Sequence, residues 1–318
     1  MEGVLMRGRD AIAVALRHPD GRIVTTTERL DSRVHTTPAG KWPFVRGLVV
    51  LYETLVIGTR WLIRSANVQA EEDDVQLGKG TIAITLLITF GVAIAVFSLL
   101  PLLISSVATS KATQGWLQPA IEGLIQVALF LAYLTFVSRT PDIHRVFQYH
   151  GAEHMTIHAL EAGDPLTVDA VRKYPTAHHR CGTEFLVILV LLSIFVFSLI
   201  GRQPPLVMIL SRLIGIPILA AVGYEVLKIG AKFRRYRVMR AIMFPGILVQ
   251  KITTKRPTDD MIEVAISSME EALTADGNAI PAGSTLFDHD PLTLPSGDTP
   301  PATEPVVAAT TDEPPAVP

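Results

Sequence analysis

A long stretch without charge limits what this chain can fold into. Residues 81–110 contain no Asp, Glu, Lys or Arg, and a helix needs about 20 apolar residues to cross a bilayer. Charged residues make up only 18% of the chain and hydrophobic residues 49%, whereas an ordinary soluble domain carries roughly 25% charged residues. The composition therefore predicts a mainly α, polytopic membrane protein, and it excludes a uniformly soluble enzyme, a disordered protein and a collagen-like chain.

Three apolar segments are predicted to be membrane-spanning helices. They are Ile82–Val107, Trp116–Val137 and Phe185–Ile200. The second segment carries a single charged residue, Glu122. The third is short, but at about 1.5 Å per residue it nearly spans a bilayer if Gly182–Glu184 extend it.

A fourth span is predicted at Leu213–Phe233, with Arg212 at the outer interface. Pro217 lies inside this segment, and membrane helices tolerate the kink that a proline introduces. The preceding stretch, Gly201–Ser211, is expected to break the helix and to lie at the interface or re-enter the membrane. The fold prediction is thus about four transmembrane helices.

The distribution of Lys and Arg predicts the orientation of these spans. Residues 1–80 carry eleven positive residues, the first connecting loop one, residues 138–184 five, the third connection two and residues 228–256 nine. Positive residues mark the cytoplasmic side, so both termini and the central loop are expected in the cytoplasm. Cys181 would then be a free thiol in a reducing compartment. The N-terminus shows no basic stretch followed by an apolar core, so no cleaved signal peptide is expected.

Two strands and an amphipathic helix are predicted before the first span. Ala11–Arg17 and Arg22–Glu28 flank the turn His18–Gly21, a pattern typical of a small β-hairpin. Trp42–Ser65 is apolar but interrupted by charges, which favours an amphipathic helix on the membrane or on the other helices. An acidic linker, Glu71–Asp74, follows it.

Two further helices and a tail are predicted outside the membrane. Thr140 can cap a helix that begins at Pro141 and that Gly163 ends. Residues Thr258–Ala275 are predicted to form a shorter, terminal helix. Residues 278–318 contain nine prolines and no Lys or Arg, which predicts a disordered acidic tail.

The predicted segments are the β-rich 1–40, the helix and linker 41–80, spans 81–137, the central loop 138–184, spans 185–233, the basic segment 234–277 and the tail 278–318.

The residues most indicative of chemistry are His150-Gly151-Ala152-Glu153-His154. This is the H-x-x-E-H pattern of inverted zinc peptidases. Residues four apart share one helix face, so His150 and His154 are predicted to bind one divalent metal, with Zn²⁺ expected at about 2.0–2.1 Å. Glu153 would be the catalytic base that takes a proton from water. His158 and Glu161 come round to the same face. The alternative is a polar helix face whose histidines only make hydrogen bonds.

A second cluster precedes the third span, in the sequence His178-His179-Arg180-Cys181-Gly182-Thr183. His178 and Cys181 are predicted to complete the metal site, because thiolate and imidazole suit such ions. Two alternatives remain, a Cys181 nucleophile with a histidine base and a small interfacial Cys near a helix start. Glu225 is predicted as a further metal ligand, because an acidic residue is costly inside a membrane. The alternative is that Glu225 only forms an ion pair with an Arg or Lys near the membrane interface.

Together these motifs resemble the YqhQ-like family, multi-pass bacterial membrane proteins described as predicted metal-dependent enzymes. The resemblance spans about residues 1–270 and implies a bacterial cell-membrane location and a metal site, but no particular reaction. The residues that carry it are Gly3–Gly8, Pro43–Gly47, Arg145–His154, His178–Thr183, Tyr224-Glu225, Gln250–Thr254 and Glu263–Ala265.

The leading functional hypothesis is a metal-dependent, hydrolase-like enzyme at the cytoplasmic membrane face. Its substrate would be lipid-linked or a membrane protein, and membrane lipids would surround it. Two alternatives stay open, a scaffold or assembly factor with a structural metal, and a transporter or metal sensor that uses Glu122, Arg212 and Glu225. The net charge of −2 argues against nucleic acid as a partner. A single Cys excludes an intramolecular disulfide and a zinc ribbon.

Overall fold

The structure is a computed structural model of the full chain. It describes residues 2–30, 42–70, 79–108, 117–178, 181–201, 204–233 and 235–292. The predicted acidic linker, His179 and Arg180 lie outside the described residues.

The N-terminal region forms a small sheet. Strands β1 (Gly3–Arg7), β2 (Ala11–Arg17) and β3 (Ile23–Arg29) form an antiparallel meander, and the short β4 (Asp290–Pro291) pairs parallel to β3. The predicted hairpin is therefore confirmed as β2–β3. Its turn contains Gly21 at φ 93°, a left-handed conformation that glycine adopts without steric cost.

Strand β2 is buried on both faces. Ile12, Val14 and Leu16 contact helix α1 (Val45–Ala70) through the buried ring of Trp61. The alternate residues Ala13 and Ala15 belong to a second core on the other face, because successive side chains of a strand point to opposite faces. The amphipathic helix predicted at Trp42–Ser65 is thus present, and one of its sides covers the sheet.

Three described helices are long and apolar enough to cross a membrane. The first crossing, Ile84–Ser105, runs through α2 (Lys79–Ile94), a π-helical turn at Ala95–Leu99 and α3 (Leu100–Ala108). The π-helical turn has a local cause, because Pro101 cannot donate the hydrogen bond that residue 97 would accept in a regular helix. Only 7% of this crossing's most apolar window is buried within the protein, so most of its surface is available to lipid.

The other two crossings have the same character. They are Pro119–Val137 within α4 (Leu117–Val137), and α7 (Gly182–Ile200) over its whole length. Helix α7 begins at the residues that were expected to extend the third span. Phe97 contacts the ring of Tyr133 at 5.5 Å between centroids, so the first crossing packs against α4.

The fourth predicted span falls on α8 (Pro205–Lys232), which is not among these three crossings. The break predicted within Gly201–Ser211 falls before residue 205, because α7 ends at Ile200 and α8 begins at Pro205. The helix start predicted at about Leu213 is therefore too late, and α8 continues through Pro217. Proline is favoured at the first helical position, where its missing N–H has no partner in any case. Gly201, at φ 72°, ends α7.

The remaining helices are α5 (Pro141–Ala162), α6 (Val168–Val171), α9 (Arg237–Thr253) and α10 (Asp259–Ala275). Helix α5 has the predicted bounds, and Gly163 ends it at φ 76°. Thr140 occupies the N-cap position, but its hydroxyl donates to the carbonyl of Val137 instead of accepting from the helix.

One hydrophobic core joins segments that are far apart in sequence. Met155 of α5 and Ile266 of α10 pack with Val4 of β1 and Ala13 of β2. We call the segments that share this core the body. Residues 278–292 also belong to the body, since the Thr285 N–H donates to the Leu166 carbonyl and Phe287 packs on the core. The predicted tail boundary at 278 is therefore too early. Residues 293–318 lie outside the described residues.

Candidate metal centre

Helix α5 separates an apolar side from a polar side. Tyr149, Ala152, Met155 and Ala159 are buried in the core of the body. The histidines at 150, 154 and 158 recur every four residues along the same helix, so they lie one above another on one face. The core thus holds the helix in register and presents the imidazoles away from it.

The first cluster consists of His150, His154 and Cys181, with potential ligand atoms all within 4.8 Å of one another. The Nε2 atom of His150 lies 3.1 Å from the Sγ atom of Cys181. The two imidazole rings are 4.4 Å apart between centroids. The structure therefore brings together three of the residues predicted as metal ligands, two of them from α5 and one from the start of α7.

Two backbone carbonyls orient these imidazoles. The Nδ1 atom of His150 lies 2.9 Å from the Thr253 carbonyl, and that of His154 lies 2.6 Å from the Thr176 carbonyl. Because a carbonyl oxygen only accepts, Nδ1 must carry a proton in both rings, and in the neutral imidazole Nε2 then carries the lone pair. This is the usual arrangement at metal-binding histidines, in which the second nitrogen is held by a carbonyl or carboxylate.

Gly151 allows the segment that follows α9 to approach α5 closely. A Cβ atom at this position would collide with the backbone carbonyl of Lys255. The Lys255 N–H donates to the Phe147 carbonyl at 2.8 Å, which fastens the end of α9 to α5. The glycine of the H-G-A-E-H motif therefore serves to place the Thr253 carbonyl against His150.

Cys181 occupies the N-cap position of α7, and only 6% of the residue is exposed. Its Sγ atom accepts a hydrogen bond from the Thr183 N–H at 3.3 Å. The sulfur is thus fixed between the first turn of α7, a candidate membrane span, and the imidazole of His150. A metal bound to Cys181 would lie at the end of that span.

His178 was predicted to join the first cluster, but the structure places it in a second cluster with His158 and Glu161, whose potential ligand atoms also lie within 4.8 Å of one another. Its Nε2 atom is 3.2 Å from a carboxylate oxygen of Glu161. The ring of His178 is 4.5 Å from that of His158 and 5.8 Å from that of His154, between centroids. The two clusters are therefore neighbours.

Hydrogen bonds hold His178 firmly, and its burial favours the neutral imidazole. The side-chain amide of Gln250 accepts from its backbone N–H and donates to its carbonyl, each at 2.9 Å. Burial lowers the pKa of the His178 imidazole, although the hydrogen bond to Glu161 opposes that shift. A neutral imidazole is the form that binds metals.

A cavity of about 580 Å³ lies over both clusters. Its polar lining includes His150, Glu153, His154, Glu161, His178 and Cys181. Strand β1 and helices α1 and α10 supply apolar wall residues such as Met6, Ile57 and Leu273. A substrate could therefore contact both groups of potential ligands from a single chamber.

Glu153 lines this cavity and is partly buried. Burial raises the pKa of its carboxyl group, and the nearby imidazole of His150 opposes that rise. No described residue forms a hydrogen bond with this carboxylate. Its position beside the first cluster agrees with the predicted role as a base.

Glu225 has a different environment from the one predicted. One carboxylate oxygen accepts from Nε of Arg46 at 2.7 Å and from the Phe44 N–H at 3.1 Å, and the other accepts from Nη2 of Arg46. Glu225 belongs to neither cluster and is not a cavity-lining residue. It fits the alternative interpretation, an ion pair, and its predicted role as a metal ligand is not retained.

The three apolar helices indicate a helical membrane protein, and its histidine clusters form a candidate metal centre. The family described as "Protein of unknown function (DUF1385)" matches residues 42–275. The chain is 31% identical over 286 residues to "Uncharacterized protein YqhQ" of Bacillus subtilis (strain 168), covering 86% of this chain and 90% of that protein. The chain therefore belongs to this YqhQ-like family, as its motifs indicated. No solved structure matches it.

Proposed function

We propose that the protein is a metal-dependent hydrolase whose site lies at the membrane surface. The observation that carries this proposal is the carbonyl-anchored pair His150 and His154, which clusters with Cys181 within 4.8 Å between potential ligand atoms. A ligand set of two imidazoles and one thiol suits Zn²⁺. Three protein ligands leave one coordination position open, as catalytic zinc sites do and closed structural sites do not.

Each residue then has a defined task. His150, His154 and Cys181 would hold the ion, and the carbonyls of Thr253 and Thr176 would keep the imidazoles in the binding tautomer. The chemistry that such an ion supplies is Lewis-acid activation of water and of the scissile bond. Glu153, which lines the same cavity, would accept the proton from the attacking water and return it to the leaving group.

The walls of the cavity support a lipid-linked or membrane-embedded substrate. Helix α1 contributes Thr54, Ile57 and Gly58 to the lining. The same helix exposes Tyr52, which is 69% exposed, and Leu55, which is 60% exposed. A helix with exposed apolar residues beside charged ones is suited to the membrane interface, so the cavity would open where amphipathic substrates reside.

Four crossings are also part of this proposal. Strands β1 and β2, helix α5 and helix α10 share one core, so the segments before the first crossing, between α4 and α7, and after α8 must lie on one side of the membrane. A chain that leaves that side through α7 has to return before α10, and α8 is the helix available for the return. The excess of Lys and Arg in these segments favours the cytoplasm of a bacterial cell.

The topology can be tested with reporter tags. Tags at the N-terminus and near residue 170 should both report the cytoplasm, whereas a tag near residue 112 should report the exterior. A tag beyond residue 292 distinguishes the number of crossings, because four place it in the cytoplasm and three place it outside. An external signal at residue 170 would contradict the proposed side of the site.

A structural metal is the alternative that one observation favours. His154 is 2% exposed and Cys181 6%, and such burial is typical of ions that stabilise a fold. Its consequence differs from that of a catalytic ion, because a structural site would not need Glu153. The two functions are therefore separated by one substitution.

The decisive variant is Glu153→Gln, which preserves size and removes the base. It should retain the metal content of the wild type and lose function, whereas His150→Ala should lose both. We would compare the lipids and membrane proteins of cells that express either form in place of the wild type. A substrate that accumulates with Glu153→Gln supports the enzyme, and unchanged profiles with full metal would favour the structural role. His144→Ala, an exposed position on the same helix, is the matched control.

A further inference from the structure

The second cluster, His158, Glu161 and His178, has no task in the mechanism above. We propose that it binds a second divalent metal ion, so that a pair of ions lies side by side beneath the cavity. This inference rests on the proposed function, because the first ion is the one held by His150, His154 and Cys181. It adds a separate site with its own ligands.

The geometry of the second cluster is that of a ligand set. One potential ligand atom from each residue lies within 4.8 Å of the other two. The Nε2 atom of His158 is 2.9 Å from the Ala177 carbonyl, so Nε2 carries the proton and Nδ1 carries the lone pair. The same type of carbonyl contact orients both histidines of the first cluster.

The elements around this cluster hold its ligands in place. The ring of His158 stacks on Tyr174, with centroids 6.0 Å apart and an angle of 8° between the planes. His178 is fixed by the two hydrogen bonds of its backbone to Gln250. Glu161 is exposed on the last turn of α5, so its carboxylate can adjust to an ion at little cost.

The two clusters share the features that a pair of ions requires. His154 and His178 bring them together, with 5.8 Å between ring centroids. Glu161 and His178 line the same cavity as His150, His154 and Cys181. Each cluster supplies three protein ligands, which leaves open positions on both ions for a shared water or substrate oxygen, as in enzymes with two-metal sites.

The ligand chemistry of the clusters differs in a measurable way. The first offers two imidazoles and a thiolate, which suits soft or borderline ions such as Zn²⁺. The second offers two imidazoles and a carboxylate, which also suits Mn²⁺ or Fe²⁺. Only an ion in the first cluster has a sulfur ligand, so a spectroscopic ion reports the two sites separately.

The test is a Co²⁺ titration of the full chain, purified in detergent and stripped of metal. Total uptake is measured by equilibrium dialysis, and the sulfur-to-cobalt charge-transfer band reports the first cluster. We expect two equivalents of uptake and a band that saturates with one of them. Glu161→Gln and His158→Ala should each halve the uptake and keep the band, whereas Cys181→Ser should abolish the band and retain the uptake at the second cluster. His144→Ala should change neither.

Other results would overturn the inference in distinguishable ways. Uptake of one equivalent, unaffected by Glu161→Gln but lost in His150→Ala, would remove the second site and leave the first. One equivalent lost in both variants would mean a single shared ion. Two equivalents in Glu161→Gln and in His158→Ala would place the second ion elsewhere. No uptake by the wild type would overturn this inference and the proposed function together. Melting curves of each variant show whether a loss of binding reflects unfolding.

Discussion

Helices α5 and α7 have similar lengths but opposite surroundings. Helix α5 (Pro141–Ala162) buries its apolar residues in the core of the body and turns His150 and His154 toward a cavity. Helix α7 (Gly182–Ile200) exposes Phe195 and Leu199, 63% and 72% exposed, because lipid would cover them. They meet at Cys181, the residue before α7, whose sulfur touches His150 of α5. The candidate metal centre thus lies where the core of the body meets a helix long and apolar enough to cross a membrane.

The largest expected difference between the two helices follows from removing the proposed metal ligands of α5, which should impair metal binding and leave membrane insertion unchanged. His150→Ala and His154→Ala should each weaken binding of the first ion by more than about tenfold, since loss of an outer-shell partner alone costs about 10–100-fold. The double variant should be little worse, because one imidazole and Cys181 cannot hold the ion. Membrane insertion should be unchanged, since it depends on apolar length. Metal analysis and membrane fractionation of the same preparations check both expectations.

Two results would break this contrast. Full occupancy of the thiolate-containing site in both single variants would remove His150 and His154 as ligands. Failure of the variants to reach the membrane would mean that insertion requires a folded body.

Local signals allowed the bounds of α5 to be predicted. Thr140, Pro141 and Gly163 mark its ends through backbone preferences that act within a few residues, and the structure confirms them. The beginning of α8 carried an equally local signal, the proline at position 205, but the apolar stretch around it was interpreted as a break. Strand β1 lies in the segment 1–40 that was predicted to be β-rich, but its bounds were not predicted, because a five-residue strand has little pattern of its own.

The partners of the site could not be predicted from spacing. His150 contacts the carbonyl of Thr253, and His154 that of Thr176, and main-chain atoms leave no mark in a sequence. His158 and Glu161 were predicted to lie on the same face of α5 as His150 and His154, but they were not predicted to bind a metal. His178 and Glu225 were predicted as ligands of the first cluster from their residue type alone. In the structure His178 pairs with Glu161, and Glu225 pairs with Arg46. Residue type indicates which side chains can bind a metal, and the fold decides which of them meet.

The second contrast concerns stability. Ile266 is 0% exposed in the core of the body, whereas Phe195 on α7 is 63% exposed. Ile266→Ala leaves a cavity and should lower the free energy of unfolding of the body by about 2–5 kcal/mol. Phe195→Ala removes a larger side chain from an exposed surface and should change it by only about 0.5 kcal/mol. Thermal unfolding in detergent, followed by tryptophan fluorescence, compares the two, and a larger effect of Phe195→Ala would place that residue in a protein contact.

A further expected effect is a dependence of stability on pH that arises within the body. Glu270 on α10 is 4% exposed, and among the described residues its Oε1 atom has no hydrogen-bond partner. Burial raises the pKa of Glu270 from 4.5 to about 7. The folded state therefore binds this proton more tightly than the unfolded state, and stability should fall as the pH rises from about 4.5 to about 7 and then level off.

Glu270→Gln tests this contribution, because the amide has a similar shape and no charge. The melting temperature of the variant should exceed that of the wild type at pH 8, and the two should converge at pH 4.5. His289 is a neighbouring group whose pKa is raised by hydrogen bonds to the Phe287 carbonyl and the Glu271 carboxylate, although burial opposes this shift. It also loses stabilising charge as the pH rises, so the informative quantity is the difference between wild type and variant at each pH. A constant difference between pH 4.5 and pH 8 would mean that Glu270 is ionised throughout and that the body accommodates its charge.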